Sequence, residues 1–224
     1  LITEPTYGMY SVCAEVNAVN VQRVLLTPDF DLDLDAFPKT FDATTKVLFL
    51  CSPNNPTGNL LNHHKIKEVL KRFYGLVVID EAYIDFAKSK SFVEELINHP
   101  NLVILQTFSK AWGLAGLRLG MCFASPEIIR ILNKIKYPYN VNTRTQELAL
   151  DALEKEQHKN EWVTEIVKQR RKMATALRKL SITEEVFPSE ANFLLVRVKE
   201  AFKTYQYLMD RGIVVRDRSR VSVC

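Results

Sequence analysis

Short apolar runs alternate with longer amphipathic stretches along the first half of the chain. Residues 21–26, 46–51, 76–80 and 102–105 are rich in Val, Leu, Ile and Phe, and 120–124 reads G-M-C-F-A. Each run is brief, and turn or charged residues bound it, which predicts buried strands. The run at 46–51 stops at S-P-N-N-P-T-G (52–58), where two prolines forbid continuation. P-T-Y-G at 5–8 is a loop signal. Between the strands, residues 9–19, 62–73 and 91–98 read as helices. Residues 30–37 alternate apolar and acidic positions, and the acids are expected to lead into a solvated helix. The order strand, helix, strand, helix predicts an α/β fold with a mostly parallel sheet flanked by helices.

The second half reads differently. Residues 126–136 form an expected helix with proline at its start, broken by Y-P-Y-N at 137–140. Residues 143–153 and about 160–179 continue as helices. The second of these is long and charged, and is expected to lead to a smaller α+β domain. There, 193–197 and 213–216 are expected strands, with a helix at 201–211 and a turn at Gly212 between them. The pattern therefore divides into a large domain over 1–150 and part of a small one over 151–224. Residues 221–224 look like a further strand just beginning. With Leu1 directly in front of E-P-T-Y-G, the chain is expected to be a fragment lacking both ends.

Polar residues gather where the parallel strands end, at Asn54, Asn55, Asp80, Glu81, Tyr83, Thr107, Ser109 and Lys110. In parallel sheets ligands sit outside those carboxyl ends. The stretch 107–120, T-F-S-K-A-W-G-L-A-G-L-R-L-G, offers the densest chemistry. Thr107, Ser109 and the Arg118 guanidinium suit a phosphate, while the Lys110 amine stays free for covalent work. Each residue alone has a plainer use. Lys110 suits a solvated loop, Asp80 an exposed strand end, Asn55 a turn before proline, and Tyr83 a half-buried ring with a wet hydroxyl.

Composition narrows the field only a little. The 224 residues are 47% hydrophobic and 25% charged, and the net charge of +4 is spread without a basic block. Neither nucleic acid nor a membrane is expected as a partner. Cys13, Cys51, Cys122 and Cys224 are scattered, so free thiols in a reducing, cytoplasmic setting are expected, with no metal site.

Three motifs in this order, S-P-N-N-P-T-G, V-V-I-D-E-A-Y (77–83) and the 107–120 stretch, resemble the pyridoxal-phosphate aminotransferases of fold type I, and most closely the histidinol-phosphate aminotransferase family. P-T-Y-G-M-Y-S (5–11), S-E-A-N-F (189–193) and G-I-V-V-R-D (212–217) extend the resemblance over nearly the whole chain. It implies pyridoxal 5'-phosphate as cofactor, with Lys110 as the Schiff-base lysine that also moves the proton. Asp80 would pair with the pyridine nitrogen. Asn55 and Tyr83 would donate to the ring oxygen, with Asn55 also facing substrate. Thr107, Ser109 and Arg118 would hold the phosphate, and Tyr7 would stack on the ring. Arg216 matches an arginine that contacts the substrate phosphate. Glu81 receives no role, and Asn192 is taken as structural.

The implied reaction is amino transfer between a small-molecule amino donor and a 2-oxo acid. Specifically, L-histidinol phosphate and 2-oxoglutarate exchange with imidazole-acetol phosphate and L-glutamate, a step of histidine biosynthesis, in a homodimer with shared active sites. Family parts from an earlier segment, namely a glycine-containing loop at the cofactor phosphate and a tyrosine reaching into the partner's site, are not in this sequence. Neither is a second substrate-binding arginine. Within the fold, an aromatic amino acid aminotransferase or a threonine-phosphate decarboxylase shares almost every residue named. From other classes, V-V-I-D-E looks like an ATPase metal-binding strand, but the matching G-x-x-x-x-G-K-[ST] is missing. A truncated, inactive binding shell is the third alternative.

Overall fold

The structure is a computed structural model and describes residues 1–37 and 43–221. Its centre is a sheet of β1 (Ile2–Glu4), β2 (Arg23–Leu25), β3 (Val47–Cys51), β4 (Leu76–Asp80), β5 (Leu102–Thr107) and β6 (Gly120–Ala124), in the order β2-β1-β3-β4-β5-β6. Neighbours are parallel except β6, which runs antiparallel to β5 with Thr107 opposite Gly120. The chain goes from β1 outward to β2 and then crosses back to β3 on the other side of β1. That reversal opens a crevice at the carboxyl ends of β1 and β3.

Alternation within each run decides which face meets the main core. Leu48 and Leu50 of β3, Val77 and Ile79 of β4, and Leu102 and Ile104 of β5 have no exposed surface. They pack with Ile66, Val69 and Leu70 of α2 (His63–Arg72). Those three positions lie on one helical stripe. The Asn62 side chain caps α2 by accepting from the N–H groups of His64 and Lys65, at 2.9 and 3.3 Å, a contribution of about 1 kcal/mol. Gly75 is required at the entry to β4, because a Cβ there would lie 2.3 Å from the Lys46 carbonyl oxygen.

The opposite face of the sheet carries α1 (Met9–Val16), whose Tyr10 packs with Ile2, Cys51 and Phe49. After β6 come α3 (Pro126–Ile135), α4 (Thr143–Leu153) and the long α5 (Glu156–Leu177). A two-stranded antiparallel sheet, β7 (Thr183–Val186) with β8 (Val196–Val198), and α6 (Ala201–Met209) complete the chain. Phe187 and Leu195 of this part reach back into the main core. Among the described residues no helix is long and apolar enough to cross a membrane, and Cys13, Cys51 and Cys122 are free thiols.

Several expected elements differ. The helix expected at 91–98 is only a 3-10 turn, Phe92–Glu95, whose first N–H donates to the Glu81 carboxylate. The helix from residue 9 stops at Val16, where Ala18 takes a positive φ of 52°. No helix begins within 30–37, where Phe30 (φ 61°), Leu32 and Phe37 turn inward to the core. The strand expected at 193–197 starts at Val196, since the preceding residues form a turn held by Ser189. Residues 213–216 form no strand and are exposed. The expected strand at 221–224 falls, beyond residue 221, outside the described residues, as does Cys224.

Candidate active site

Strand ends and the loops beyond them bring most of the candidate residues together. At the end of β4, Asp80 is partly exposed and both its oxygens accept hydrogen bonds. Oδ1 accepts from the Ala82 N–H at 3.0 Å and Oδ2 from the Tyr10 hydroxyl at 2.7 Å. Burial first, then the nearby Cys51 and Asp80, raise the Tyr10 pKa well above the ordinary phenol value. Its hydroxyl therefore stays protonated and donates. Burial first, then the Asp80 charge, push the Cys51 thiol up to about 12, so it too is neutral.

The loop after β3 is rigid by construction. Buried Asn54 donates to the Pro5 carbonyl and to Thr57 Oγ1, both at 2.8 Å, and accepts from Thr6 Oγ1 at 3.0 Å. It thereby ties the loops after β1 and β3 to each other. Gly58 has φ +81° and its would-be Cβ lies 2.7 Å from Ser189 Oγ. The Gly58 carbonyl accepts from the Glu190 N–H at 2.7 Å, so S-P-N-N-P-T-G and S-E-A-N-F are packed backbone to backbone there. Next to this support, Asn55 Nδ2 donates to the Tyr83 hydroxyl at 3.1 Å.

Lys110 follows β5. Its ammonium lies 5.2 Å from the centre of the Tyr83 ring, within cation–π range, and it has no ion pair among the described residues. Thr107 Oγ1 accepts from the Ser109 N–H at 3.0 Å and donates to the Leu119 carbonyl at 3.3 Å. Antiparallel pairing of β6 returns the chain to this edge, which places Arg118 beside the end of β5. Arg118 is exposed with φ 52°, and its guanidinium donates to the Ala115 carbonyl at 3.1 Å. It meets no carboxylate among the described residues. Tyr7, 43% exposed, sets its ring edge-on to Tyr10 at 5.6 Å. These contacts form two groups, Tyr7–Tyr10–Asp80 and Asn55–Tyr83–Lys110, both at the carboxyl edge of the sheet. They do not extend to Arg216, which lies in the exposed 213–216 segment.

Two residues without an expected role acquire one. Glu81 is 1% exposed. Its carboxylate accepts from Ser91 Oγ at 2.5 Å, the Phe92 N–H at 2.7 Å and Gln106 Nε2 at 3.0 Å. It is a structural tether behind β4, which explains why the acidic pair 80–81 has only one member at the open edge. Tyr10 was legible as the second tyrosine of P-T-Y-G-M-Y, three residues after Tyr7 at a helix start, but nothing local indicated its partner.

The sheet is that of the fold type I transferases, and a model of the family described as aminotransferase class I and II matches residues 1–224. The chain belongs to that family. Among curated relatives it is 53% identical over 224 residues to a histidinol-phosphate aminotransferase of Cytophaga hutchinsonii, covering all of this chain and 64% of that protein. Among solved structures, the histidinol-phosphate aminotransferase of Clostridium acetobutylicum superimposes with a TM-score of 0.90 at 28% identity, covering 99% of this chain and 68% of that one. The histidinol-phosphate aminotransferase of Sinorhizobium meliloti, in complex with pyridoxal-5'-phosphate, is similar in fold, with a TM-score of 0.88 at 24% identity over 100% of this chain and 64% of that one. The chain thus spans about two thirds of the length of such relatives.

Proposed function

We propose that this chain carries the central part of a pyridoxal-phosphate-dependent aminotransferase that exchanges the amino group of L-histidinol phosphate with 2-oxoglutarate. The observation that carries the reading is the Lys110 amine, over the Tyr83 ring at the sheet's carboxyl edge and without an ion pair among the described residues. The donor set around it fits the cofactor group by group. An aldehyde finds the amine, a basic ring nitrogen finds the Asp80 carboxylate, and a ring oxygen finds the Asn55–Tyr83 pair. A phosphate finds Arg118 with the Thr107 and Ser109 hydroxyls. When bound, the cofactor supplies an electron sink for the substrate's Cα.

The chain's own residues do the rest. Lys110 would hold the cofactor through its amine and would serve as the base and acid that moves the proton. Asp80 would hold a positive charge on the ring nitrogen, and Arg118 would hold the phosphate with its forked donors. Tyr7 offers a ring face to stack on, and Asn55 faces the substrate as well as the ring oxygen. Arg216 is assigned to the substrate phosphate on the strength of the G-I-V-V-R-D motif. Residues 1–150 are the cofactor-binding domain in this reading and 151–224 the small domain, entered through α5. A cytoplasmic homodimer is part of the proposal. The exposed apolar side chains of Ile131 and Ile135 on α3, and of Tyr137 beyond it, support an assembly surface.

The test is the visible spectrum of the full-length protein with pyridoxal phosphate, followed by L-histidinol phosphate without any 2-oxo acid. Loss of the lysine-bound absorption, far faster than with phenylalanine, is expected. Conversion by phenylalanine alone would leave the site intact and overturn the substrate. Failure to form the lysine-bound absorption at all would overturn the chemistry.

A further inference from the structure

We propose that Tyr10 is a positioning residue for this site: its hydroxyl and the Ala82 N–H grip the two oxygens of Asp80, and the working partner of the ligand's ring nitrogen is the Tyr10–Asp80 pair. The inference rests on the reading of the site given above. Tyr10 is 9% exposed, its ring stacks on Phe49 at 4.9 Å and meets Tyr7 edge-on at 5.6 Å. A phenylalanine would fill that space as well. A buried hydroxyl is costly unless it is bonded, and this one is spent on the carboxylate at the strand end, at 2.7 Å.

Two consequences follow from the geometry. With Oδ1 held by the Ala82 N–H and Oδ2 by Tyr10, rotation of the carboxylate about its own axis is blocked. A carboxylate has about four lone-pair sites, so two remain for a ligand. An O–H donor also makes a carboxylate less basic. The proton shared between Asp80 and a ring nitrogen then sits on the nitrogen, which keeps the ring cationic. The neighbouring Cys51 thiol is neutral and does not compete as an anion. Tyr10 needs no contact with the ligand for either effect.

The experiment loads the full-length protein with pyridoxal phosphate labelled with ¹⁵N in the ring and reads the nitrogen chemical shift. Tyr10→Phe is expected to move the signal from the protonated toward the neutral limit and to weaken cofactor binding about tenfold. With 4-aminophenylalanine placed at position 10, the ring stack is kept and the donor is weaker, so the shift should fall between the two. If Tyr10→Phe does not fold, this second protein decides alone, and a signal unchanged from the parent overturns the role. An unchanged shift and affinity in Tyr10→Phe, with borohydride still fixing the cofactor to Lys110, overturns the role of Tyr10 and leaves the site reading standing. Borohydride fixing nothing to Lys110 in the parent overturns both.

Discussion

Lys159 of α5 places its ammonium 2.9 Å from the Asp85 carboxylate, with side chains 11% and 28% exposed. The same ammonium lies 4.9 Å from the ring centre of Trp112, two residues beyond Lys110. The long helix is thus fastened to the turn after β4 and to the loop carrying the candidate catalytic lysine. Removing one member of such a pair leaves the other charge poorly solvated. Lys159→Met keeps most of the stem against Trp112 and is expected to cost about 2 kcal/mol. Urea denaturation of Lys159→Met, Asp85→Asn and the double variant separates pair from packing. Additive losses would show that the two residues are not coupled.

Lys110→Ala removes the amine and leaves the Asn55–Tyr83 bond and the Asp80 grip in place. Borohydride treatment with pyridoxal phosphate should leave no label in this variant, whereas the parent carries it on the peptide containing residue 110. Asp80→Ala is expected to retain that label and to slow amino transfer about 100-fold or more. A labelled Lys110→Ala protein would move the covalent role elsewhere, and an Asp80→Ala protein with parental rates would mean that another group faces the ring nitrogen.

Much of this was legible in the sequence because the elements concerned are locally determined. The apolar runs of β3, β4 and β6 and the capped, striped α2 need only nearest-neighbour chemistry, and they lie within a residue or two of their expected positions. The three-residue strands β1 and β8 are too short to show a period, and β7 carries two exposed glutamates in succession. Residues 213–216 look like a strand by composition, yet no neighbouring strand pairs with them among the described residues. At the site, motif residues could be named from the chain, but the partner of Tyr10 is 70 positions away. Likewise the tether around Glu81 comes from Ser91, Phe92 and Gln106. Such long-range pairings are set by the sheet's register, which no local window contains.

Glu81 gives the fold a pH signature. Burial raises its carboxyl pKa above the ordinary value, and the bonds from Ser91, Phe92 and Gln106 offset only part of that. Within the window from the unfolded value, about 4.3, up to the raised folded value, the native state binds more protons than the unfolded chain. Stability from this group is therefore full below the window and declines as pH rises through it. Relative to Glu81→Ala, which lacks the titration and deprives three donors of this acceptor, the parent's advantage in denaturant midpoint should shrink on going from acid toward neutral pH. A constant difference across the window would mean that the three donors hold the carboxylate at its ordinary value.

Gly58 joins the backbone of the S-P-N-N-P-T-G loop to that of S-E-A-N-F, and its substitution tests whether that junction supports the site. An alanine there meets two obstacles. Its φ of +81° is disfavoured for any residue with a Cβ, and the added methyl would stand 2.7 Å from Ser189 Oγ. The first costs about 1–2 kcal/mol. The second adds to it, because Ser189 is committed to the Phe193 carbonyl at 2.6 Å and to the Ala191 N–H at 3.1 Å, so it cannot swing away freely. Gly58→Ala combined with Ser189→Gly removes the clash and keeps the φ penalty. Thermal melts of the parent, Gly58→Ala and the double variant should show a loss in the single variant that the double only partly recovers. If strain at this junction also displaces Asn55, three residues away, Gly58→Ala will weaken cofactor binding as well as stability. A melt lowered with unchanged cofactor affinity would show that the junction holds the two motifs together without setting the position of Asn55.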